Sequence, residues 1–182
     1  MANIVQIILG NEYLCKGNKF KTGKLMKIKL LVIGKTDEKY LQNGIEIFSK
    51  RIPHYIPFEM KIIPDLKDTR NLTEARQKEK EGELILRQLG SGDELILLDE
   101  NGQQNSSADF ARFLEKKMLA GTKQLVFVIG GPYGFSANVY EKAMQKISLS
   151  AMTFSHQMVR LIFLEQLYRA FTIIKGEPYH HE

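Results

Sequence analysis

The chain has 182 residues, 43% of them hydrophobic and 26% charged, a composition that predicts a folded globular protein and argues against a disordered one. Its net charge of +5 is uneven: residues 1–25 hold four lysines and one glutamate (+3), which leaves +2 for residues 26–182, so charge alone does not predict a nucleic-acid partner. The single cysteine, Cys15, excludes an intramolecular disulfide and favours the reducing cytoplasm, and no apolar run reaches the ~18 residues of a membrane span.

The first 25 residues differ from the rest of the chain. The apolar patch Ile4–Leu9 is short and follows no basic segment, so a cleaved secretory signal is not expected. Met26 then opens a clean strand pattern. We therefore expect Met26 to be the biological start and residues 1–25 to be an upstream reading or a loose extension. The alternative is an ordered extra strand at Ile4–Leu9.

From Met26 onward, strand and helix patterns alternate. Thr73 and Ser106 are N-cap residues that mark the start of two of the helices. Such alternation predicts one α/β domain, residues 26–182, with a parallel sheet flanked by helices on both faces. Strands are predicted at residues 26–33, 58–63, 94–98, 124–129 and 149–154, and helices at residues 37–51, 73–89, 106–119, 136–146 and 157–174.

The last predicted helix, residues 157–174, is apolar nearly all round. Such a helix has to be buried on both sides. The sheet can cover one side, and a second subunit in a homodimer is the natural cover for the other, because large exposed apolar patches are rare on monomers. The alternative is that another element of the same chain covers it.

A glycine-rich loop, Gly130–Gly134, follows the predicted strand 124–129. With the predicted strand 149–154 beside it, this loop would lie at the carboxyl ends of parallel strands, where α/β sheets bind ligands. Glycines let a backbone approach a flat ligand closely, although a plain tight turn explains the loop equally well. The spacing matches neither the dinucleotide-binding fingerprint nor the P-loop. No histidine spacing indicates a zinc site, and no G-x-S-x-G motif indicates a serine hydrolase.

Several segments taken together resemble the ribosomal RNA large subunit methyltransferase H family. They are Met26-Lys-Ile-Lys-Leu-Leu-Val-Ile-Gly-Lys35, Glu79-Lys-Glu-Gly82, Val128-Ile-Gly-Gly-Pro-Tyr-Gly134, Leu149-Ser-Ala-Met-Thr-Phe-Ser-His156, Val159-Arg160, Glu165-Gln-Leu-Tyr-Arg-Ala170 and Pro178-Tyr-His180. The resemblance runs from Met26 to the C-terminus, and residues 1–25 have no counterpart in it.

That resemblance implies the SPOUT superfamily, whose members are α/β homodimers with a C-terminal trefoil knot. It implies methyl transfer from S-adenosylmethionine to N3 of a pseudouridine in 23S ribosomal RNA on assembled ribosomes, with no metal, no DNA partner and no membrane. Carried onto this chain, the cofactor-binding residues would be Leu98, Gly130, Leu149, Ser150, Ala151, Met152, Thr153 and Phe154.

The same resemblance implies four catalytic candidates, His156, Arg169, Tyr179 and His180. We expect His156 to orient the base or remove its N3 proton, and Arg169 to contact a phosphate or lower the pKa of the acceptor. An alternative for His156 is a turn residue that caps the last helix. The tail 177–182 is expected to fold over the site of its own subunit or of the partner subunit. Relatives tend to carry a basic residue where His181 stands, and a histidine, which is neutral or partly charged at pH 7, makes a weaker phosphate contact there.

Three other functions are compatible with the sequence. One is a SPOUT methyltransferase that acts on another RNA, such as tRNA. A second is a ribosome-associated binding protein that has kept the cleft without turnover. The third is a nucleotide-binding regulator with an ordinary doubly wound fold, which the missing phosphate motifs disfavour.

Overall fold

The computed structural model describes residues 26–67 and 72–179, and for the backbone alone residues 13–15 and 18–20. Strands β1 (Tyr13–Cys15) and β2 (Asn18–Phe20) form a small antiparallel pair. The alternative strand at Ile4–Leu9 lies outside the described residues. The assignment of residues 1–25 as an extension stays a prediction.

The centre of the molecule is a five-stranded, wholly parallel sheet, as the alternating pattern predicted. Its strand order is β4-β3-β6-β5-β7. The strands are β3 (Lys27–Ile33), β4 (Phe58–Ile63), β5 (Asp93–Gln104), β6 (Gln124–Ile129) and β7 (Gln145–Ser148). The central strands β3 and β6 are buried at every position except Lys27, Lys29 and Gln124, as expected for strands that are covered on both faces.

Helices cover both faces of the sheet. They are α1 (Lys39–Arg51), which a short 3₁₀ turn at Ile52–His54 extends, α2 (Glu74–Leu86), α3 (Ser107–Leu119), α4 (Ala137–Lys142) and α5 (Met158–Lys175). One face packs under α1, α3 and α5, where the rings of Phe127 and Phe163 lie 4.9 Å apart between centroids. The other face packs under α2 and α4 through Ile85 and Val139. The predicted layering is therefore confirmed.

Two of the helices begin where the sequence indicated. The hydroxyl of Thr73 accepts from the backbone N–H of Arg76 at 3.3 Å, and the hydroxyl of Ser106 accepts from the backbone N–H of Asp109 at 3.1 Å. Each satisfies an N–H that the first turn of a helix would leave unpaired. At the other end of the chain, α5 stops at Gly176, whose φ of +68° is accessible to glycine at little cost.

The predicted strand at residues 149–154 is wrong. The last strand, β7, ends at Ser148, and residues 149–154 form a loop. Two serines explain the difference, because the hydroxyl of Ser148 donates to the Ser150 carbonyl at 2.8 Å and the Met152 N–H donates to the Ser150 hydroxyl at 2.8 Å. Such local side-chain bonds compete with a strand ladder. The helix predicted at 136–146 is correspondingly shorter, and the chain reverses at Ala143 to enter β7.

Helix α5 is covered in part by its own chain. Phe163, Leu164 and Leu167 are fully buried against the sheet, and α1 and α3 pack along its flanks. Elements of the same chain thus supply cover that the sequence attributed to a second subunit. The homodimer and the trefoil knot both stay predictions. Among the described residues, no helix combines the length and hydropathy needed to cross a bilayer.

Candidate active site

A cleft of about 520 Å³ opens at the carboxyl ends of β5, β6 and β7. This volume lies within the ~300–1,000 Å³ range of small-molecule sites. Three segments supply most of its lining: residues 98–101 of β5, residues 129–135 at the end of β6 and in the glycine loop, and residues 147–150 and 152–156 at the end of β7 and in the loop after it. The sheet topology therefore brings together the segments that the sequence singled out, although the third is a loop rather than a strand.

The glycine loop is a tight turn that also presents bare backbone to the cleft. Gly131 and Gly134 form an isolated antiparallel bridge, and Gly134 adopts a φ of +80°. A methyl group on Gly131 would come within 2.4 Å of the Glu81 carboxylate. Glycine at position 131 leaves room for the Glu81 carboxylate, and glycine at position 134 adopts the positive φ at little cost.

Seven of the eight residues predicted to bind the cofactor line this cleft. They are Leu98, Gly130, Leu149, Ser150, Met152, Thr153 and Phe154. The eighth, Ala151, is exposed and is not part of the lining. Met152 and Phe154 are 75% and 40% exposed and place apolar surface at the mouth of the cleft. The arrangement offers an apolar slot with backbone polar groups along its edge.

The sequence did not predict one rim of the cleft, which Asp99, Glu100 and Tyr140 form. Asp99 accepts from the Tyr140 hydroxyl and from the backbone N–H of Asn101 at 2.8 Å. Partial burial, and then the Asp99 carboxylate, raise the pKa of Tyr140 to about 12, so its hydroxyl stays protonated and donates at neutral pH. A signal was available, since Asp99 directly follows a buried strand. The two carboxylates make this rim favourable for a cationic ligand.

The catalytic candidates that the structure describes, His156, Arg169 and Tyr179, do not lie together in one chain. His156 lines the cleft, half-buried, in the turn that precedes α5. Arg169 and Tyr179 are not among the residues that line it. Arg169 lies 11 residues into α5, roughly 16 Å along the axis at ~1.5 Å per residue. His180 lies outside the described residues.

Arg169 and Tyr179 instead form a cluster around Glu165. The Arg169 guanidinium is 2.6 Å from the Glu165 carboxylate, and the Tyr179 hydroxyl donates to the same carboxylate at 3.2 Å. The guanidinium carbon also lies 4.9 Å from the centre of the Tyr179 ring. Burial, followed by the Glu165 charge, raises the pKa of Tyr179, which makes this hydroxyl a donor rather than a base at neutral pH.

Metal chemistry finds little support in the side chains of this region. Within the part of the chain that the structure describes, no three His, Cys, Asp or Glu side chains lie together as a metal site would need.

Comparison with known proteins identifies the family. A family model described as "Predicted SPOUT methyltransferase" matches residues 26–180. This chain belongs to the SPOUT methyltransferases. Within them it belongs to the ribosomal RNA large subunit methyltransferase H family, because relatives of that name match it over nearly their whole length.

Three such relatives show the degree of similarity. The protein from Parabacteroides distasonis is 62% identical over 157 residues, which are 86% of this chain and 100% of the relative. The protein from Christiangramia forsetii is 64% identical over 86% of this chain and 99% of its own length. The protein from Bacteroides fragilis is 55% identical over 86% of this chain and 100% of its own length. A probable methyltransferase from Bordetella pertussis superposes with a TM-score of 0.49 at 10% identity over 79% of this chain and 95% of its own, a likeness too weak to add to the assignment.

Proposed function

We propose that this methyltransferase transfers a methyl group from S-adenosylmethionine to N3 of a pseudouridine in 23S ribosomal RNA, on the assembled ribosome in the cytoplasm. The observation that carries the proposal is the 55–64% identity to proteins named ribosomal RNA large subunit methyltransferase H over nearly their full length. The cleft supports it, because its lining includes seven of the eight residues expected to hold the methyl donor.

The residues of the cleft fit an adenosyl sulfonium. Leu98 and Leu149 offer apolar walls for a flat base, and the backbone of Gly130 and Gly131, which line the cleft without a side chain, offers hydrogen-bonding groups. The carboxylates of Asp99 and Glu100 lie on the rim, where they favour a positively charged ligand. When bound, S-adenosylmethionine supplies an electrophilic methyl group, which needs only an acceptor held in line with the methyl–sulfur bond.

His156 is the residue of this chain best placed to receive or orient the proton of the acceptor. It lines the same cleft as the predicted donor-binding residues. We expect His156→Ala to lower kcat by roughly 10²-fold or more, the range of general-base catalysis, while the Kd for S-adenosylmethionine changes by less than about threefold.

The matched control for that variant is His54→Ala. His54 is exposed, in the 3₁₀ turn after α1, and does not line the cleft. Methyl-transfer kinetics of both variants would test the role, since normal turnover by the His156 variant, with donor bound, removes this histidine from the mechanism.

We also propose that the active protein is a homodimer. Arg169, roughly 16 Å along α5 from its start, and Tyr179, in the tail after α5, do not line the cleft of their own chain, and a twofold partner can bring that end of the helix to the cleft of the other subunit. Sedimentation at assay concentrations should give twice the mass of the chain. A fully active monomer would contradict the proposal.

The substrate is tested with donor and acceptor separately. Calorimetry should show S-adenosylmethionine binding, and radiolabelled methyl should enter 23S RNA in ribosomes far faster than in naked 23S RNA or in tRNA. Weak binding to naked RNA is expected because residues 26–182 carry only +2, and phosphate neutralisation supplies most non-specific affinity. Preferential labelling of tRNA would favour another RNA substrate, and donor binding without any transfer would favour a binding protein.

A further inference from the structure

Arg160 is a buried cation that the proposed chemistry does not use. Its side chain is 0% exposed, in the first turn of α5. Its guanidinium forms no ion pair within 4 Å among the described residues, although Asp65 and Asp37 act on it at longer range. A buried charge is tolerated only when hydrogen bonds replace its water. Arg160 is therefore expected to have a structural role, which its hydrogen-bond partners define.

The hydrogen bonds of Arg160 connect the carboxyl end of β3 to the turn that precedes α5. The Nη1 atom donates to the Gly34 carbonyl at 2.9 Å and to the Thr36 hydroxyl at 2.9 Å, and Nη2 donates to the Ile33 carbonyl. The Nε atom donates to the carbonyl of His156 at 3.1 Å. One planar, rigid side chain thus ties the carboxyl end of β3 to the residue that precedes α5 and lines the cleft.

A second contact holds the next residue to the same loop. The backbone N–H of Asp37 donates to Gln157 Oε1 at 2.8 Å, and Gln157 Nε2 donates to Asp37 Oδ2 at 3.0 Å. This pair is at the surface, whereas Arg160 is in the interior. Residues 156 and 157 are consequently fixed to residues 33–37 from both sides.

The imidazole of His156 depends on this support. Among the described residues, its ring makes no hydrogen bond, and only its backbone carbonyl is held. His156 lines the cleft, and the orientation of its ring therefore depends on where its backbone is held. A displacement of about 1 Å at a reacting group can lower a rate by roughly 10²-fold.

We propose that Arg160 and Gln157 are positioning residues that fix His156 against the cleft and so set the turnover of the enzyme. The inference rests on the proposed role of His156 in methyl transfer. A positioning residue changes the rate of the chemical step more than donor binding, and a conservative substitution that keeps its hydrogen bonds should keep its effect.

The decisive variants lie at the surface pair, where the fold is not at risk. Gln157→Ala and Asp37→Ala each break the bond between Gln157 Nε2 and Asp37, while Asp37→Asn keeps an oxygen to accept it. We expect the two alanine variants to lose roughly tenfold in kcat with KM for S-adenosylmethionine changed less than about twofold, and Asp37→Asn to stay near wild type. Arg160→Lys, which keeps the charge but not the fork of donors, should lose roughly 10²-fold. Glu46→Ala, which breaks an exposed pair with Lys50 on α1, is the matched control.

A measurement without turnover separates this inference from the function on which it rests. In ¹³C-histidine spectra of the full chain, the His156 ring signal, identified by its loss in His156→Ala, should broaden or shift in Gln157→Ala and stay in place in Asp37→Asn and Glu46→Ala. That result supports the positioning role even if ribosomes are not the substrate. An unchanged ring signal together with normal kcat in Gln157→Ala, or an equal loss of donor affinity and kcat, would overturn it.

Discussion

Glu81 lies beneath the glycine loop, with its carboxylate where a Gly131 side chain would be. It is 3% exposed, Gln77 donates to its Oε1 at 2.8 Å, and its Oε2 has no hydrogen-bond partner among the described residues. Burial is the main reason that the pKa of Glu81 is raised, with a smaller contribution from the Asp65 charge. Folding thus favours the protonated form of this acid.

Replacing Glu81 with glutamine should stabilise the protein at neutral pH. The amide keeps the acceptor for Gln77 and removes an incompletely paired buried charge. Because the folded-state pKa is raised, the stability contributed by Glu81 is fully present at low pH and is lost as pH rises through the folded pKa. We expect Glu81→Gln to raise Tm by roughly 2–4 °C at pH 7.5, as for ~1 kcal/mol in a chain of this size, and the difference to shrink towards pH 4. Calorimetric melts across that range would measure it, and a gain that grows on acidification would contradict the assignment.

Individual site residues were predictable when they followed a strand and unpredictable when they depended on distant partners. Gly130 directly follows β6, and Leu98 ends the buried part of β5, so pattern reading placed both of them in the cleft. Tyr140 and Asp99 are 41 residues apart in sequence, and nothing local indicates that the hydroxyl of one meets the carboxylate of the other. The pairing forms because α4, which carries Tyr140, lies beside the part of β5 that carries Asp99.

At the scale of elements, the position of β7 determines the floor of the cleft. Strand β5 runs on past its buried part, and its register with β7 shifts between Leu98 and Gln103. The shift brings Gly102 so close to β7 that an added Cβ would lie 2.6 Å from backbone atoms of Ile147. Backbone atoms cannot give way as a flexible side chain can, so glycine is required here for close approach.

Gly102→Ala should therefore displace β7 and the loop 149–154 that follows it. Overpacking of this kind costs about 1–3 kcal/mol, which corresponds to a fall in Tm of roughly 2–12 °C. Because that loop lines the cleft, the affinity for S-adenosylmethionine should also fall. Gly90→Ala is the control, since its Cβ would meet nothing closer than 3.6 Å. Thermal melts and calorimetry of the two variants test this prediction. Equal Tm and equal affinity for S-adenosylmethionine would show that β5 and β7 can move apart without loss of stability.

Sequence periodicity located most elements but failed where side chains compete with the backbone. The strands at 58–63 and 124–129 were predicted to the residue, because each is an unbroken run between clear breakers. The apolar pattern of residues 149–154 is also the pattern of a short strand. Its serines and its 75%-exposed Met152 make it a loop, and that outcome depends on hydrogen bonds that composition does not reveal.

At the scale of the whole molecule, side-chain contacts tie residues 177–179 to the rest of the domain. In the C-terminal tail, the Tyr55 hydroxyl donates to Glu177 at 2.6 Å, and Tyr179 packs edge-on against Tyr168 with 4.9 Å between ring centres. At the other end, Met26 is buried in the core, and the family match starts at this residue. The fold class was predictable from alternation, whereas the position of the tail depends on these side-chain contacts.

Ending the chain after Gly176 should abolish methyl transfer and leave the fold intact. The cut removes Tyr179 from the Glu165–Arg169 cluster and removes no residue of the main core. Starting the chain at Met26 is the matched truncation, and we expect it to leave activity and Tm unchanged. Circular dichroism melts and methylation assays on ribosomes would compare the two. Full activity without the tail, or loss of folding without residues 1–25, would refute the respective expectation.

Arg169 lies roughly 16 Å from the start of helix α5. This separation predicts that two different inactive variants can complement each other. If each reaction centre combines His156 of one subunit with Arg169 of the other, two chains disabled at different positions can complement each other. Co-refolding inactive His156→Ala and Arg169→Ala chains in equal amounts would form mixed dimers with one intact centre each, and roughly a quarter of wild-type activity would return. If each chain worked independently, every mixture of the two variants would remain inactive.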